Sequence, residues 1–173
     1  QLMALYHFSV RHVSRGKGQM VVASAAYISG QRIFDSYYNK IHDYTSKSGV
    51  VFTEILTPEY VPERMTDREI LWNEVEHVER NNKAQLAYSF DIALQNELTL
   101  EENIRLAKEF CQEQFVARGM IVDLAVYEGK SENEEETDNP HFHVLAPIRP
   151  FTEEGIWGNK QRREYILDED GNR

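Results

Sequence analysis

Alternating apolar and polar segments separated by helical patterns place this chain in the α/β (α+β) class. The predicted architecture is an antiparallel sheet of about five strands with helices on one face, built on a ferredoxin-like split βαβ core. Three observations predict it. Residues 4–13 alternate with period two, as a half-buried strand does. Two segments, from residues 66 and 99, open with capping-box spacing and continue at helical period. Two apolar segments, residues 120–127 and 141–148, follow one another with no helical pattern between them, which predicts a hairpin.

The elements follow in order. In the first strand Tyr6, Phe8 and Val10 face one side and His7, Ser9 and Arg11 the other. Ser14-Arg15-Gly16-Lys17-Gly18 reads as a basic turn. Small and apolar residues from about 19 to 34 predict a helix that ends or bends at Gly30. Residues 35–49 read as a polar loop. Residues 50–56 form the second strand, stopped by Pro58. Thr66 and Glu69 open a helix to about residue 80, with Ile70, Leu71, Val75 and Val78 as its apolar stripe, and residues 84–94 read as the third strand. Thr99 and Glu102 open the next helix, with Ile104, Ala107, Phe110, Cys111 and Phe115 at helical spacing and Gly119 as the expected cap. The acidic stretch 128–138 reads as a mobile loop between the last two strands, and the chain from Pro150 onward, including Lys160-Gln161-Arg162-Arg163, reads as polar and unstructured.

Composition narrows the function classes. At 173 residues the chain has the length of one domain, 1–173, with no internal repeat or linker. Met3 is the expected natural start, behind Gln1 and Leu2. One cysteine excludes an internal disulfide framework and suits a reducing cytosol; Cys111 reads as core. No apolar run approaches a membrane span and no signal-peptide pattern opens the chain. A net charge of −10 argues against nucleic-acid binding when taken globally. Its distribution argues otherwise: in the first 50 residues Arg11, Arg15, Lys17, Arg32, Lys40 and Lys47 face only Asp35 and Asp43, so one basic face can stand on an acidic body.

The segment Asn139-Pro140-His141-Phe142-His143-Val144-Leu145 is the most informative. Histidines at i and i+2 of a strand point the same way, while Phe142 points to a core. The pair is half of a divalent-metal site, or two ordinary strand histidines. Across a hairpin, Tyr127 and Glu128 are the nearest candidates for a third ligand, and Asp123 shares a face with Tyr127. Imidazoles beside a carboxylate suit Mg or Mn; no cysteine cluster supports structural zinc. The second element is Tyr27 among Ala23, Ser24, Ala25, Ala26 and Ser29, either a core aromatic or a phenol that small neighbours leave open to a large substrate.

With these pieces in order the chain resembles the amino-terminal relaxase domain of the MobA/MobL family. The resemblance rests on Tyr6-His7 with Ser9-Val10, Ser14-Arg15-Gly16, and Ala25-Ala26-Tyr27 with Ser29-Gly30. It continues through His42-Asp43-Tyr44-Thr45, residues 47–51, Glu54-Ile55-Leu56, Leu71-Trp72-Asn73, Ile92-Ala93-Leu94 and Arg118-Gly119-Met120 to His141-Phe142-His143.

The resemblance implies a metal-dependent DNA strand transferase of the His-hydrophobe-His superfamily, forming the front of a longer bacterial, cytoplasmic protein. Tyr27 would be the nucleophile that nicks single-stranded origin-of-transfer DNA, leaving a 5′-phosphotyrosine link and a free 3′-hydroxyl. His141 and His143 would hold a divalent ion, Mg or Mn. Relatives supply a third histidine where this chain has Tyr127, so Glu128 is the expected third ligand, with Asp91, His42 and Glu54 as the other candidates and a weakened metal affinity as the remaining alternative. Arg11, Arg15, Lys17, Arg32, His42 and Lys47 would contact DNA. Tyr37, Tyr38 and Tyr44 are either base-stacking residues or a partly buried loop cluster. Accessory mobilisation proteins and a coupling protein are the implied partners, with no membrane. The other readings are a non-catalytic single-strand binding module that has lost its metal, and a metal-dependent hydrolase that needs no tyrosine.

Overall fold

The structure is a computed structural model that describes residues 8–129 and 139–160. Tyr6 and His7, most of the acidic stretch and the Lys160–Arg163 cluster beyond Lys160 lie outside the described residues. Seven strands and three α-helices alternate among them: β1 (Phe8–Ser14), α1 (Val21–Ser29), β2 (Arg32–Asp35), β3 (Lys40–Asp43), β4 (Val50–Leu56), α2 (Arg68–Val78), β5 (Gln85–Ala93), α3 (Leu100–Gln114), β6 (Val122–Tyr127) and β7 (His141–Pro147). Five of the strands form an antiparallel sheet in the order β1-β5-β7-β6-β4, as the sequence predicts. Since β5 and β6 both run antiparallel to β7, they run parallel to each other on either side of it. With α3 joining them, they form the expected split βαβ unit, and β7 lies at its centre.

The helices divide between the two faces rather than sharing one. Leu145, Ala125 and Tyr127 pack with Val22, Ala25, Leu71 and Trp72 under α1 and α2. Phe142, Val144, Leu124 and Val126 pack with Ala107, Phe110 and Cys111 of α3 on the other face. A central strand buried on both sides reads as a continuous apolar run, and Val144-Leu145-Ala146 is that run. Cys111 lies in this second layer, where burial pushes its thiol far up, so it is the core residue expected.

Residues 32–43 correct the sequence reading. They form a two-stranded antiparallel hairpin, β2 with β3, in place of the end of a helical segment up to about residue 34 and the start of a polar loop at residue 35. Ile33, Asp35 and His42 point inward and are buried, while Phe34 and Ile41, opposite one another, stay exposed. Asp35 closes the turn by accepting from the amides of Tyr37 and Tyr38, and Asn39 adopts the left-handed conformation (φ 51°) that asparagine tolerates.

Capping differs in one helix. Thr99 caps α3 as predicted, its hydroxyl accepting from the Glu102 amide at 3.1 Å. In α2 the cap is Asp67, which accepts from the Ile70 amide, and Thr66 donates instead to the Glu63 carbonyl in the preceding turn. Gly119 closes a short 3₁₀ turn, Val116–Arg118, that follows α3.

Two buried ionic knots seat α2. Asp123 on β6, fully buried, accepts a forked pair of bonds from Arg68 (2.7 and 2.8 Å) and a third from the Trp72 indole at 2.9 Å. Glu76 holds Arg15 and also accepts from the Val21 amide at the start of α1, so one carboxylate ties the basic turn and α1 to α2. Removing one partner of such a pair leaves the other charge buried and unpaired, which costs about 3–5 kcal/mol. Asp123→Ala is therefore expected to lower unfolding free energy by about that amount, read as a drop in the urea midpoint with an unchanged slope.

Candidate active site

The site lies where β7 passes between β5 and β6. The register sets Asp91 of β5 directly opposite His143 and Tyr127 of β6 directly opposite His141. Period two then turns both imidazoles to the face shared with Asp91, and one ligand atom from each of the three residues lies within 4.8 Å of the others. The His141 Nδ1 lies 3.0 Å from the Asn139 carbonyl oxygen, which can only accept, so Nδ1 is the donor in that bond. The His143 Nδ1 lies 4.0 Å from an Asp91 oxygen. Burial pushes His143 down to about 4, against the pull of Asp91 and assisted by His141, Lys47 and Arg11, so its ring is neutral at neutral pH. Two imidazoles and a carboxylate are a donor set that fits a divalent ion.

Glu128, the expected third ligand, is exposed and lies outside this group, whose carboxylate is Asp91, one of the other candidates. Glu128 follows from the hairpin neighbour β6, whereas Asp91 comes from β5 on the other side of β7. Tyr127 itself turns its hydroxyl away toward α1, donating to the Ile28 carbonyl at 2.7 Å and accepting from Lys47 Nζ at 2.8 Å. Its ring lies tilted against His141, with centroids 4.9 Å apart, and edge-on to His143 at 5.0 Å.

Tyr27 stands in the last turn of α1, 46% exposed, where Gly30 (φ 66°) caps the helix. Its ring meets Tyr44 edge-on at 5.3 Å and has the Lys47 ammonium 3.4 Å from its centroid. Lys47 thus joins the exposed phenol of α1 to Tyr127, and Tyr127 joins it to the imidazoles. Sequence reasoning placed Lys47 among DNA contacts and had no signal for this role, because it is made by residues 20 and 80 positions away.

The other basic positions separate into two sets. Arg11 is exposed on β1 opposite Ser89, on the same face as Asp91 and His143; Lys17 and Arg32 are also exposed, Arg32 facing Asp43 at 3.9 Å. Arg15 is not available to DNA. Its guanidinium is buried, donating to Glu76, to the Glu76 and Glu79 carbonyls and to the Asn81 carbonyl, where it completes the open end of α2. His42 is also withdrawn, buried 2.9 Å from Asp35 inside the β2-β3 hairpin. Of the loop tyrosines, Tyr37 packs on Tyr38, His77 and Arg15, and Tyr44 packs on Tyr27, so the cluster reading describes them better than free stacking platforms. No helix among the described residues is long and apolar enough to cross a membrane.

Comparison with known proteins finds relatives named for conjugal transfer and mobilisation. The chain is 35% identical, over 98% of its length, to the conjugal transfer protein TraA of Agrobacterium fabrum, and spans 15% of that protein. It is 34% identical over 99% of its length to the probable mobilization protein MobA of Bifidobacterium longum, spanning 30% of it. The mobilization protein MobL of Acidithiobacillus ferridurans is 30% identical over 90% of the chain and is spanned for 41% of its length. A solved structure concerning the molecular basis of vancomycin resistance transfer in Staphylococcus aureus superposes with a TM-score of 0.81 at 37% identity, covering 95% of this chain and 81% of that one. The sequence profile of the MobA/MobL family matches residues 19–173, and the chain belongs to that family.

Proposed function

We propose that this chain is the nicking and rejoining domain of a plasmid mobilisation relaxase, acting on single-stranded DNA at an origin of transfer through Tyr27. One observation carries the reading: an exposed phenol on α1 is linked, through Lys47 and Tyr127, to a face that groups His141, His143 and Asp91. The relatives named for conjugal transfer and mobilisation support it, as does the match to their family. Accessory mobilisation proteins and a coupling protein belong to the same proposal.

In the nicking step the Tyr27 oxygen attacks the scissile phosphorus. A bond forms between that oxygen and the 5′-phosphate, and the bond to the 3′ oxygen of the preceding nucleotide breaks. The phenol gives up its proton, the departing oxygen takes one up, and a free 3′-hydroxyl remains. One phosphoester replaces another, so the reverse exchange rejoins the strand without an external energy source. The exposed cations Arg11, Lys17 and Arg32 track phosphates of the bound strand. The half-exposed Ala23 and Ser24 leave space beside Tyr27 for the backbone. His141, His143 and Asp91 would hold the divalent ion, Mg or Mn, which when bound polarises the scissile phosphate and offsets the charge that builds on it.

The first test is a denaturing gel of an origin oligonucleotide incubated with protein and Mn. Wild-type protein is expected to become attached to the 5′ product, and Tyr27→Phe to bind the oligonucleotide without attachment. Attachment by Tyr27→Phe would remove Tyr27 as nucleophile, and a free 5′-phosphate product would favour the hydrolase. Asp91→Asn is expected to weaken Mn binding by about 10–100-fold, measured by calorimetry, while Glu128→Gln leaves it unchanged.

The site also has a pH signature in the metal-free protein. Below the ordinary histidine value of 6.5 the unfolded chain takes up a proton that folded His143 refuses until about 4. Folded stability is therefore fully present above pH 6.5, declines as pH falls toward about 4, and levels off below. Urea melts across that window are expected to show a shallower decline for His143→Gln than for wild type.

A further inference from the structure

Lys47 is engaged on more sides than a phosphate contact requires. The Tyr44–Lys47 turn carries it under the end of α1, with its amide bonded to the Tyr44 carbonyl at 3.0 Å. Its ammonium donates to the Tyr27 carbonyl at 3.0 Å and to the Tyr127 hydroxyl at 2.8 Å. The same nitrogen stands 3.4 Å from the centre of the Tyr27 ring and 4.8 Å from that of Tyr127. The carbonyls of Tyr27 and Ile28 belong to the helix end, where intrahelical partners run out and the dipole is negative. Lys47 takes the first and the Tyr127 hydroxyl takes the second. Backbone and ring of one residue are therefore held by one cation, and that cation is itself anchored on the strand beside His141.

We propose that Lys47 is a positioning residue: it clamps Tyr27 through its carbonyl and the face of its ring, and Tyr127 anchors the clamp. The inference rests on the reading of Tyr27 as nucleophile. A free tyrosine in the last turn of a helix samples several rotamers, and a cation over its ring selects among them. Reaction rate is sensitive to that selection because attack needs the oxygen aligned with the phosphorus. The ground-state grip on DNA is not, since the clamp is made within the protein.

The test separates rate from affinity in single-turnover nicking at saturating protein. Lys47→Met keeps the length of the side chain and removes its charge; it is expected to slow nicking by about ten- to thirtyfold with DNA affinity and its salt dependence unchanged. Tyr127→Phe removes the anchoring hydroxyl and keeps both rings and the lysine, and is expected to slow nicking in the same direction. The double variant is expected to be no slower than Lys47→Met alone, because both changes break one clamp. The proposal is overturned if Lys47→Met binds more weakly with a shallower salt slope but nicks at the wild-type rate once bound. Losses that simply add in the double variant overturn it as well. Tyr27→Phe run alongside distinguishes the two levels: attachment by that variant removes the nucleophile reading, whereas its inactivity together with a full rate in Lys47→Met and Tyr127→Phe removes only the clamp.

Discussion

The geometry of the site depends on the register of one strand. β7 is paired on both sides, with seven residues matched to β5 and five to β6, so neither edge is free to slide. Its two faces are chemically distinct: Phe142, Val144 and Ala146 fill the layer under α3, while His141 and His143 face the other way. A slip of one residue would drive two imidazoles into that apolar layer and lift Phe142 into their place. Burying unpaired polar rings and losing the Phe142 contacts would act together against the slip. Hydrophobic packing on one side of the sheet therefore fixes a polar constellation on the other.

What the register does for the histidines, the buried ion pairs do for Tyr27. α1 has no charged residue of its own and little contrast between its faces, so it cannot orient itself by amphipathicity. Its start is held by Glu76 of α2, its end by Gly30, Lys47 and Tyr127, and α2 is in turn locked to β6 by Asp123. The path from Asp123 through Arg68 and Trp72 to Glu76 and Val21 runs from the strand that carries Tyr127 to the helix that carries Tyr27. These polar knots orient α1 as well as stabilise it.

This division explains which features were legible in the sequence. The five sheet strands and three helices declare themselves by period and caps, because those signals are local. Thr99 and Gly30 act as read. The β2-β3 hairpin escaped because its inward side is partly polar: Asp35 and His42 satisfy each other there, and an alternation built from a buried ion pair does not look hydrophobic. The His141–His143 pair is visible as a motif and Asp91 stands among the candidates for its third member, but the choice between them depends on which strands flank β7, and strand order is not written locally. Asp91 and Lys47 become neighbours of the site only through the sheet order and the turn after β3. Burial likewise withdraws Arg15 and His42 from the basic set, and composition cannot register burial.

That withdrawal bears on how an acidic chain can hold a polyanion. The cations counted in the first 50 residues are not one population. Arg15 neutralises Glu76 inside the fold and Lys47 lies between two aromatic rings, so neither adds to a surface field in the way an exposed lysine does. Arg11 remains on the histidine face at the β1 edge of the sheet, opposite Ser89, and Asp91 is the carboxylate that shares this face within the ligand group. Screening confines exposed charges to about 8–10 Å at physiological salt, so carboxylates farther than that from the site contribute little to what a phosphate experiences there. The surface of α3, rich in Glu101, Glu102, Glu109 and Glu113, belongs to the layer on the opposite side of the sheet. For these four carboxylates the sheet itself is the separator from the histidine face.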